Sequence, residues 1–475
     1  MPLFTVQGLV RATHGALIGG DLGIPVTGVS IDSRTLSVGE AFFAIKGYRL
    51  DGHAFLSDAA ARGASCLVVH HLPDELPATA PVVLVDDTTR ALGRLAAFHR
   101  SRFDLPVVAV TGSNGKTTTK EMLAALLGTR WTVLKPDGSL NNQWGLPLTL
   151  LRLSPDHQVL VVELGTNQPG EIASLASLCR PTVGVVTTVA AAHTEALKTL
   201  EGVRVEKAAL VRAIPADGAV VLNSDDPLVR AMAAEARWLV LMAGFGPRAQ
   251  VRAVGDILER AGEIVFTLEI EGQRSAVKLA FSGRHNVTNA LLSAGAGVAL
   301  GLAFDEIVAG LEAARPLKGR MIWRRAGSVR ILDDTYNANP ASVAAALDAV
   351  AVARRAPGDS VADGTSPSRG RLVVALADML ELGGFAPEAH REVGRRVAAL
   401  GAAEFVGAGP LMRHAVDAAR EAGLLDSHHV ETFEDTVALL LKRLVPGDTL
   451  LVKGSRRMRM ERVVDTLVAR LGGGE

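Results

Sequence analysis

A short apolar stretch followed by a glycine turn and a lysine carries the clearest chemical signal in this 475-residue chain. Four apolar residues that end at Val110 are typical of a buried strand, and Gly112 and Gly115 let the backbone approach an anion closely. In such a pattern Lys116 reaches the terminal phosphates of a nucleotide, and the Thr117 hydroxyl ligates its magnesium ion. Val110 stands where the usual pattern has its first glycine, so we predict a variant P-loop.

A carboxylate and a histidine farther along the chain could add metal ligands beside this loop. Residues 158–163 are an apolar run that ends in Glu163. A carboxylate at the end of a strand next to a P-loop strand can provide a second magnesium ligand, because magnesium prefers oxygen donors. His193 follows the next predicted strand, although a single histidine there is more often packed or exposed than a ligand.

The segments around these residues predict a central α/β unit with a doubly wound, mostly parallel sheet. Strand and helix patterns alternate regularly from Leu105 to about Pro316. After the P-loop strand, the predicted strands are Gln158–Leu164, Thr182–Val189, Ala219–Asn223 and Trp238–Ala243. Alternation of apolar and polar residues predicts an antiparallel appendage over Val251–Ile270 and Ser275–Phe281, with its turn at residues 272–273, and a helix then runs to Ala299.

Two further α/β units flank the central one, so we predict domains at residues 1–103, 104–317 and 318–475. The first is small, with strands predicted at Val26–Asp32, Ala41–Ile45, Leu67–His70 and Val82–Val85. Its three residue clusters at the ends of strands, 32–34, 42–47 and 51–53, are more typical of turns than of ligand sites. The last unit is predicted to be Rossmann-like, with strands at Val329–Asp333, Arg371–Ala377, Glu404–Gly407 and Asp448–Val452. Pro357–Gly370 is predicted to be a mobile surface loop.

Composition narrows the class of protein. Fifty basic residues balance fifty acidic ones, which gives no electrostatic reason to expect a nucleic-acid or membrane-surface partner. Cys66 and Cys179 are the only cysteines and lie far apart, so neither a disulfide framework nor a zinc site is predicted. A reducing cytoplasm is the expected location, with no signal peptide and no membrane span.

Several motifs together resemble those of the Mur ligases of peptidoglycan synthesis, and the resemblance covers nearly the whole chain. The motifs are Thr111–Thr118, Glu163–Asn167, Pro169–Ile172, Ala192-His193, Gly283–Asn289, Gly319–Met321, Asp334–Pro340, Asp378–Gly383 and Lys453–Ser455. Within the family, Tyr336–Pro340 and Asp378–Gly383 distinguish this member from its sister enzymes.

The resemblance implies an ATP-dependent amide ligase of cell-wall biogenesis, with ATP and Mg²⁺ as cofactors. It implies that D-alanyl-D-alanine is joined to UDP-N-acetylmuramoyl-tripeptide through an acyl phosphate. A cytoplasmic monomer is expected. Whether the third peptide residue is diaminopimelate or lysine is not readable from the sequence.

The resemblance also assigns roles to individual residues. Those assigned to ATP are Gly112, Ser113, Asn114, Gly115, Lys116, Thr117, Thr118, Asn289, Arg320, Asp334, Asn337 and Asn339. Those assigned to a first magnesium ion are Thr117 and Glu163, and those assigned to a second are Glu163, His193 and a carbamylated Lys207. Those assigned to the muramoyl-peptide are Asn141 and Asn142, with Ser33 and Arg34 at its UDP-sugar end. Those assigned to catalysis are Lys116, His193, Lys207 and Arg320.

The sequence departs from the family pattern at two places and is compatible with two alternative functions. Thr187-Thr188 replaces a Thr-Asn pair before the histidine, and Lys207-Ala208-Ala209 replaces Lys-Gly-Glu, which removes a carboxylate near the lysine. One alternative is a ligase like folylpolyglutamate synthase, which shares the P-loop but not the Tyr336–Pro340 segment. The other is a nucleotide-binding module without ligase activity.

Overall fold

A computed structural model describes residues 3–47, 49–73, 80–190, 194–355 and 370–472. His193 lies outside the described residues, as does all of the predicted surface loop Pro357–Gly370 except its last residue. No helix in the described ranges is both long enough and apolar enough to cross a membrane.

The N-terminal unit is a small α/β layer. Its strands are β1 Phe4–Thr5, β2 Ala16–Ile18, β3 Pro25–Val26, β4 Gly28–Ser30, β5 Glu40–Phe43, β6 Cys66–Val69 and β7 Val82–Leu84, and its helices are α1 Val6–Thr13, α2 Leu56–Ala61 and α3 Thr88–Arg100. One sheet has the order β2-β7-β6-β5-β4, and β1 pairs with β3 in a separate ribbon. The single strand predicted at Val26–Asp32 is therefore wrong, because its two parts belong to different sheets.

The central unit carries a nine-stranded sheet with the order β16-β15-β14-β13-β12-β11-β8-β10-β9. Its strands are β8 Val107–Thr111, β9 Val133–Leu134, β10 Val159–Glu163, β11 Val183–Val186, β12 Ala219–Asn223, β13 Leu239–Gly244, β14 Val251–Arg260, β15 Glu263–Ile270 and β16 Gln273–Leu279. Its helices are α4 Lys116–Leu127, α5 Gly145–Leu150, α6 Glu171–Cys179, α7 Thr194–Leu197, α8 Leu200–Ala213, α9 Pro227–Ala231, α10 His285–Ala299 and α11 Phe304–Ala313.

Strand direction in this sheet agrees with the prediction of a mostly parallel sheet with an antiparallel appendage. All pairs from β9 to β14 are parallel, and β14-β15 and β15-β16 are antiparallel. The appendage continues the main sheet, since β14 pairs with β13. The segment predicted as one stretch, Val251–Ile270, is two strands joined by a tight turn at Gly262, where φ is +81°.

The C-terminal unit is the predicted Rossmann-like layer, a six-stranded sheet with the order β17-β18-β22-β19-β20-β21. Its strands are β17 Ile322–Ala326, β18 Val329–Asp334, β19 Leu372–Ala377, β20 Glu404–Ala408, β21 Ser427–Val430 and β22 Thr449–Lys453. Its helices are α12 Pro340–Arg355, α13 Ala386–Ala399, α14 Met412–Glu421, α15 Phe433–Arg443 and α16 Glu461–Leu471. Only β17 runs antiparallel to its neighbour, and neither β17 nor β21 was predicted.

Strand β8 is the point where chain order reverses in the central sheet, because β10 lies on one side of it and β11 on the other. Its five residues are all buried and alternate between two cores: Val107 and Ala109 pack on one face, and Val108 and Val110 on the other. In open α/β sheets, ligands bind outside the carboxyl ends of the strands at such a reversal. A ligand site is therefore expected at the residues that follow β8, β10 and β11.

One hydrophobic core is shared by the N-terminal and central units, whereas the C-terminal unit has cores of its own. One core is continuous from Phe4 and Leu9 of the N-terminal unit, through Leu92 and Leu95 of α3, to Leu160 in the central sheet. Two further cores, in the C-terminal unit, contain only residues after position 320. Cys66 and Cys179 are buried as free thiols, and burial raises the pKa of each to about 12.

Candidate active site

The loop between β8 and α4 requires glycine at two positions. Gly115 is in the left-handed region with φ +83°, and a Cβ there would lie 2.4 Å from Asn289 Oδ1. A Cβ on Gly112 would lie 1.8 Å from Thr187 Oγ1. Any side chain at either position would therefore displace the loop from its neighbours, and α4 begins directly after Gly115 with its first amides free to face an anion.

The two threonines after β11 fix this loop from the side. The Ser113 N–H donates to Thr188 O at 2.8 Å, and the Asn114 N–H donates to Thr188 Oγ1 at 3.1 Å. The Thr187 hydroxyl donates to the Asn114 carbonyl at 2.5 Å. Thr188, one of the departures from the family pattern, therefore contacts the backbone of the P-loop through its side chain.

Lys116 lies folded across the loop, where its Nζ donates to the Gly112 carbonyl at 2.7 Å. Burial lowers the pKa of Lys116, the Glu163 carboxylate opposes this shift, and the Arg320 guanidinium adds to it. A buried cation beside a glycine loop is suited to binding the charged phosphates of a nucleotide.

Thr117 and Glu163 meet at the base of the loop, as a shared metal ion would require. Thr117 Oγ1 donates to Glu163 Oε2 at 2.9 Å, and Asn141 Nδ2 donates to Glu163 Oε1 at 2.7 Å. Ser139 Oγ lies 3.3 Å from Thr117 Oγ1. The donors at this point are hydroxyl and carboxylate oxygens, which fits magnesium and disfavours softer metals.

Arg320 connects the two units at this point. Its Nη2 donates to Thr117 Oγ1 at 3.1 Å, and its guanidinium carbon lies 4.0 Å from the centre of the Tyr336 ring. Its Nε is buried and has no hydrogen-bond partner among the described residues. An unpaired buried donor is costly, so this atom is poised to bind an anionic group in the cavity.

The C-terminal unit contributes a second group of polar side chains. Lys453 Nζ donates to Asp334 Oδ2 at 2.5 Å and to the Asn337 carbonyl at 2.7 Å. Burial lowers the pKa of Lys453, and Asp334 opposes this. Asn339 Nδ2 donates to Asn114 Oδ1 at 2.7 Å, so this group directly contacts the P-loop of the central unit.

The predicted asparagines of the central unit also line the cavity, each held by the protein itself. Asn289 Nδ2 donates to Asn286 Oδ1 at 2.9 Å. Asn142 Oδ1 accepts the N–H groups of Trp144 and Gly145 at 3.1 and 2.9 Å, which orients the start of α5.

Lys207 is buried on α8, with 2% of its surface exposed. Burial lowers its pKa well below the ordinary value, the nearby Lys116 adds to this effect, and Glu206 opposes it. Glu206 is itself occupied, since it accepts the N–H groups of Gly170 and Ile172 at 2.7 and 2.8 Å. Lys207 is therefore a buried amine with a reduced tendency to carry a proton.

A cavity of about 610 Å³ brings most of these side chains together between the central and C-terminal units. Its lining includes Ser113 to Thr118, Asn141, Asn142, Glu163, Asn289, Arg320, Asp334, Asn337 and Asn339. Lining residues that were given no role from the sequence include Ser139, His285, Tyr336, Lys453, Arg456 and Arg457. Lys453 lies in the motif Lys453–Ser455, which was recognised in the sequence, but no role was assigned to the lysine there.

Five residues that were assigned a role from the sequence are not among those that line this cavity: Ser33, Arg34, Gly112, Lys207 and His193. Ser33 is buried and Arg34 is exposed in the N-terminal unit, where Arg34 Nη2 pairs with Asp32 Oδ2 at 2.7 Å. Neither is among the residues that line the cavity. His193 lies outside the described residues.

Comparison with protein families gives three matches along the chain. Residues 25–100 match the Mur ligase family, catalytic domain; residues 110–297 match the Mur ligase middle domain; and residues 319–456 match the Mur ligase, glutamate ligase domain.

Individual relatives are similar over nearly their whole length. UDP-N-acetylmuramoyl-tripeptide–D-alanyl-D-alanine ligase of Escherichia coli K12 is 35% identical over 479 residues, 98% of each chain. MurF from Acinetobacter baumannii superposes with a TM-score of 0.87 at 31% identity over 99% of each chain. MurF ligase from Thermotoga maritima in complex with ADP superposes with a TM-score of 0.78 at 26% identity, covering 94% of this chain and 98% of that one.

A folylpolyglutamate synthase from Mycobacterium tuberculosis is more distant. It is 16% identical and has a TM-score of 0.63 over 80% of this chain and 95% of that one. This similarity extends to the fold alone.

Proposed function

The chain belongs to the Mur ligase family, and from this premise we propose that the cavity between its central and C-terminal units is the active site. The protein is an ATP-dependent ligase of peptidoglycan synthesis that joins D-alanyl-D-alanine to UDP-N-acetylmuramoyl-tripeptide. The observation that carries the site assignment is the meeting of Lys116, Thr117, Glu163 and Arg320 around one point. A folylpolyglutamate-synthase-like activity lacks comparable support, because that similarity extends only to the fold.

In the first step, a terminal carboxylate oxygen of the muramoyl-tripeptide attacks the γ-phosphorus of ATP, and ADP leaves. Several anionic oxygens converge, so catalysis depends on positioning and on neutralising charge. Lys116 would exchange its contact with the Gly112 carbonyl for phosphate oxygens. The Nε of Arg320, which has no partner among the described residues, would bind the transferred phosphoryl group as a second cation.

Magnesium fits the oxygen donors at the base of the loop. Thr117 and Glu163 would hold a first ion, and Glu163, His193 and a carbamylated Lys207 would hold a second. When bound, these ions would neutralise phosphate charge. Asn141 holds one Glu163 oxygen in place, so the carboxylate is oriented before any ligand binds.

In the second step, the amine of D-alanyl-D-alanine attacks the acyl carbon, the amide bond forms and phosphate leaves. Negative charge develops on the acyl oxygen and on the departing phosphate. Lys116 and Arg320 both line the cavity and would stabilise both charges. The chain thus uses one set of cations for two successive anions.

The remaining assignments are proposals of the same kind. Asn289, Asp334, Asn337 and Asn339 would contact the nucleotide, and their places in the cavity lining support this. Asn141 and Asn142 would face the muramoyl-peptide. The three domains would be residues 1–103, 104–317 and 318–475, in a cytoplasmic monomer.

The UDP-sugar end of the substrate would bind the N-terminal unit at Ser33 and Arg34. Arg34 has 84% of its side chain exposed and is held by Asp32, so its guanidinium is accessible to a diphosphate. Arg34→Ala should raise the KM for the UDP-linked substrate and leave kcat nearly unchanged, since the contact is remote from the reacting atoms.

The activity itself is tested by phosphate release from purified protein with ATP and Mg²⁺. Release should require both the muramoyl-tripeptide and D-alanyl-D-alanine, and ADP should form in equal amount. Parallel reactions with diaminopimelate- and lysine-containing tripeptides identify the third residue. ATP hydrolysis that ignores both peptide substrates would overturn the assignment.

A further inference from the structure

Three histidines meet in the N-terminal unit, away from the cavity that binds the nucleotide. His70 and His71 follow β6 directly, and His53 follows β5 after a short loop. Strands β5 and β6 are parallel neighbours, with Phe43 opposite Val68. Their carboxyl ends therefore lie at one edge of the sheet, and this edge carries the three imidazoles.

The imidazoles are close enough to share one ion. One ring nitrogen from each of His53, His70 and His71 lies within 4.8 Å of the other two. The His53 ring stacks on the His71 ring with centres 4.0 Å apart and contacts the His70 ring edge-on at 4.3 Å. Three nitrogens bound to one zinc ion at about 2.0–2.1 Å lie roughly 3.4 Å apart. Side-chain rotations would have to bring the nitrogens closer and turn the stacked His53 and His71 rings toward a common point, and His71 is exposed and accessible from solvent.

A carboxylate, that of Asp51, orients the His53 ring, as expected for a histidine that binds a metal ion. Asp51 Oδ1 lies 2.7 Å from His53 Nδ1 and also accepts the His53 N–H at 3.0 Å. This contact assigns the Nδ1–H tautomer and leaves the lone pair on Nε2 as a donor. A carboxylate that orients a histidine from behind is the usual support of a histidine metal ligand. Among the described residues, Nε2 accepts only a long contact from the His70 N–H, at 3.3 Å.

We propose that His53, His70 and His71 form a binding site for a divalent transition-metal ion of the zinc class. Three imidazoles and no thiolate at the cluster favour Zn²⁺, Ni²⁺ or Cu²⁺ over magnesium, which prefers oxygen donors. A fourth position remains for water. The bound ion would tie the loop after β5 to the end of β6 and so stiffen this edge of the N-terminal unit.

The chain supplies a matched control in a second histidine pair. His428 and His429 are neighbours on β21, where successive side chains point to opposite faces of the sheet. His428 faces Glu404, with its Nε2 3.5 Å from Glu404 Oε1, and His429 Nε2 contacts the Gly409 carbonyl at 2.9 Å. This pair has the same composition as His70-His71 but cannot present two nitrogens to one ion.

The test is titration calorimetry with Zn²⁺ on chelator-treated full-length protein at pH 7.5, with excess Mg²⁺ to occupy oxygen sites. Wild type and the double variant His428→Ala/His429→Ala should each bind one Zn²⁺ with equal affinity. His70→Ala/His71→Ala should lose that binding event, and Asp51→Asn should weaken it by about 10–100-fold. Circular dichroism and ligase activity without zinc confirm that each variant is folded.

The same measurements can overturn the proposal. Failure of wild type to bind Zn²⁺ in the micromolar range would do so, and would mean that the rings only pack together. Equal Zn²⁺ binding by wild type and His70→Ala/His71→Ala would place the ion elsewhere on the chain. Neither outcome changes the ligase assignment, which depends on the cavity between the central and C-terminal units.

Discussion

Two buried lysines define the chemistry at the scale of single residues. Lys116 and Lys207 lie close enough for the charge of Lys116 to lower the pKa of Lys207. Two ammonium groups at such a distance in a buried site repel each other, and burial penalises both charges. The site therefore favours one cationic lysine and one neutral lysine. Lys116, beside the phosphate loop and Glu163, is the one suited to keep its charge.

Replacing Lys116 should remove activity without unfolding the protein. Lys116→Ala is expected to lower kcat/KM for ATP by at least about a hundredfold, because a charge at the γ-phosphate is lost. Steady-state phosphate release measures the effect, and the melting temperature reports on folding. Lys278→Ala, in which an exposed ammonium on β16 is removed, is the control and should behave as wild type. Near-normal turnover by Lys116→Ala would contradict the P-loop assignment.

Lys207 is expected to be carbamylated. Carbon dioxide adds only to a neutral amine, and burial lowers the pKa of Lys207 toward that form. The product is an anionic oxygen donor, as magnesium prefers. Lys207→Ala should therefore lose activity, and a small carboxylic acid such as acetate should restore part of it by occupying the vacated space.

Lys116→Ala is the control for this rescue. Acetate should not restore its activity, because this variant lacks a cation rather than an anion. Mass spectrometry of protein kept under carbon dioxide should show an adduct of about 44 Da, the mass of one CO₂ molecule, on wild type and not on Lys207→Ala. Full activity of Lys207→Ala without added acid would exclude the carbamate.

At the scale of elements, the β8–α4 loop shows how a local conformation is fixed by distant segments. Thr187 and Thr188 after β11 hold its backbone, and Asn289 on α10 lies against Gly115. The loop is thus shaped before a phosphate arrives, which reduces the cost of ordering it on binding.

Gly115→Ala is expected to abolish nucleotide binding, because the added Cβ would collide with Asn289 Oδ1 and would also impose about 1–3 kcal/mol of backbone strain. Gly272→Ala separates the two effects. Gly272 has a similar φ, +81°, but open space around it in the β15–β16 turn. That variant should lose some stability and keep full affinity for ATP, as measured by calorimetry. Equal affinities in both variants would mean that the loop tolerates a side chain.

Sequence patterns predicted the elements whose signal is local. β8 is a run of five buried residues next to Gly112 and Gly115, so both strand and loop could be read directly. β17 was missed because Ile322–Ala326 contains two arginines and is only partly buried at one edge of its sheet. The bracing of the P-loop by Thr188 was also missed, since that contact joins residues 74 positions apart in the chain.

At the scale of the whole molecule, several polar contacts between the described residues of the central and C-terminal units lie at the proposed active site and its margin. Asn339 contacts Asn114, Arg320 contacts Thr117, and Trp323 Nε1 donates to Ser282 Oγ at 2.9 Å. The chain crosses between the units near Gly319, where φ is +75°. A glycine at the crossing point between two units is typical of a hinge.

We expect the C-terminal unit to close onto the central one when ATP binds, because the proposed nucleotide contacts lie on both units. X-ray scattering should give a smaller radius of gyration with a non-hydrolysable ATP analogue and muramoyl-peptide than without them. Asn339→Ala removes one contact across the cleft and should weaken the change without abolishing it. An unchanged radius of gyration in wild type would argue against closure.

The continuous core between the N-terminal and central units has a consequence for how the protein melts. Side chains from Phe4 to Leu160 pack into one apolar cluster, whereas the clusters of the C-terminal unit contain only their own residues. Segments that share a core unfold together, and segments with separate cores can unfold independently. The three units should therefore unfold in two cooperative blocks, a larger one made of the N-terminal and central units and a smaller one made of the C-terminal unit. Differential scanning calorimetry should resolve two transitions, and substitution of Leu92, in the helix between the first two units, by alanine should shift only the transition of the larger block.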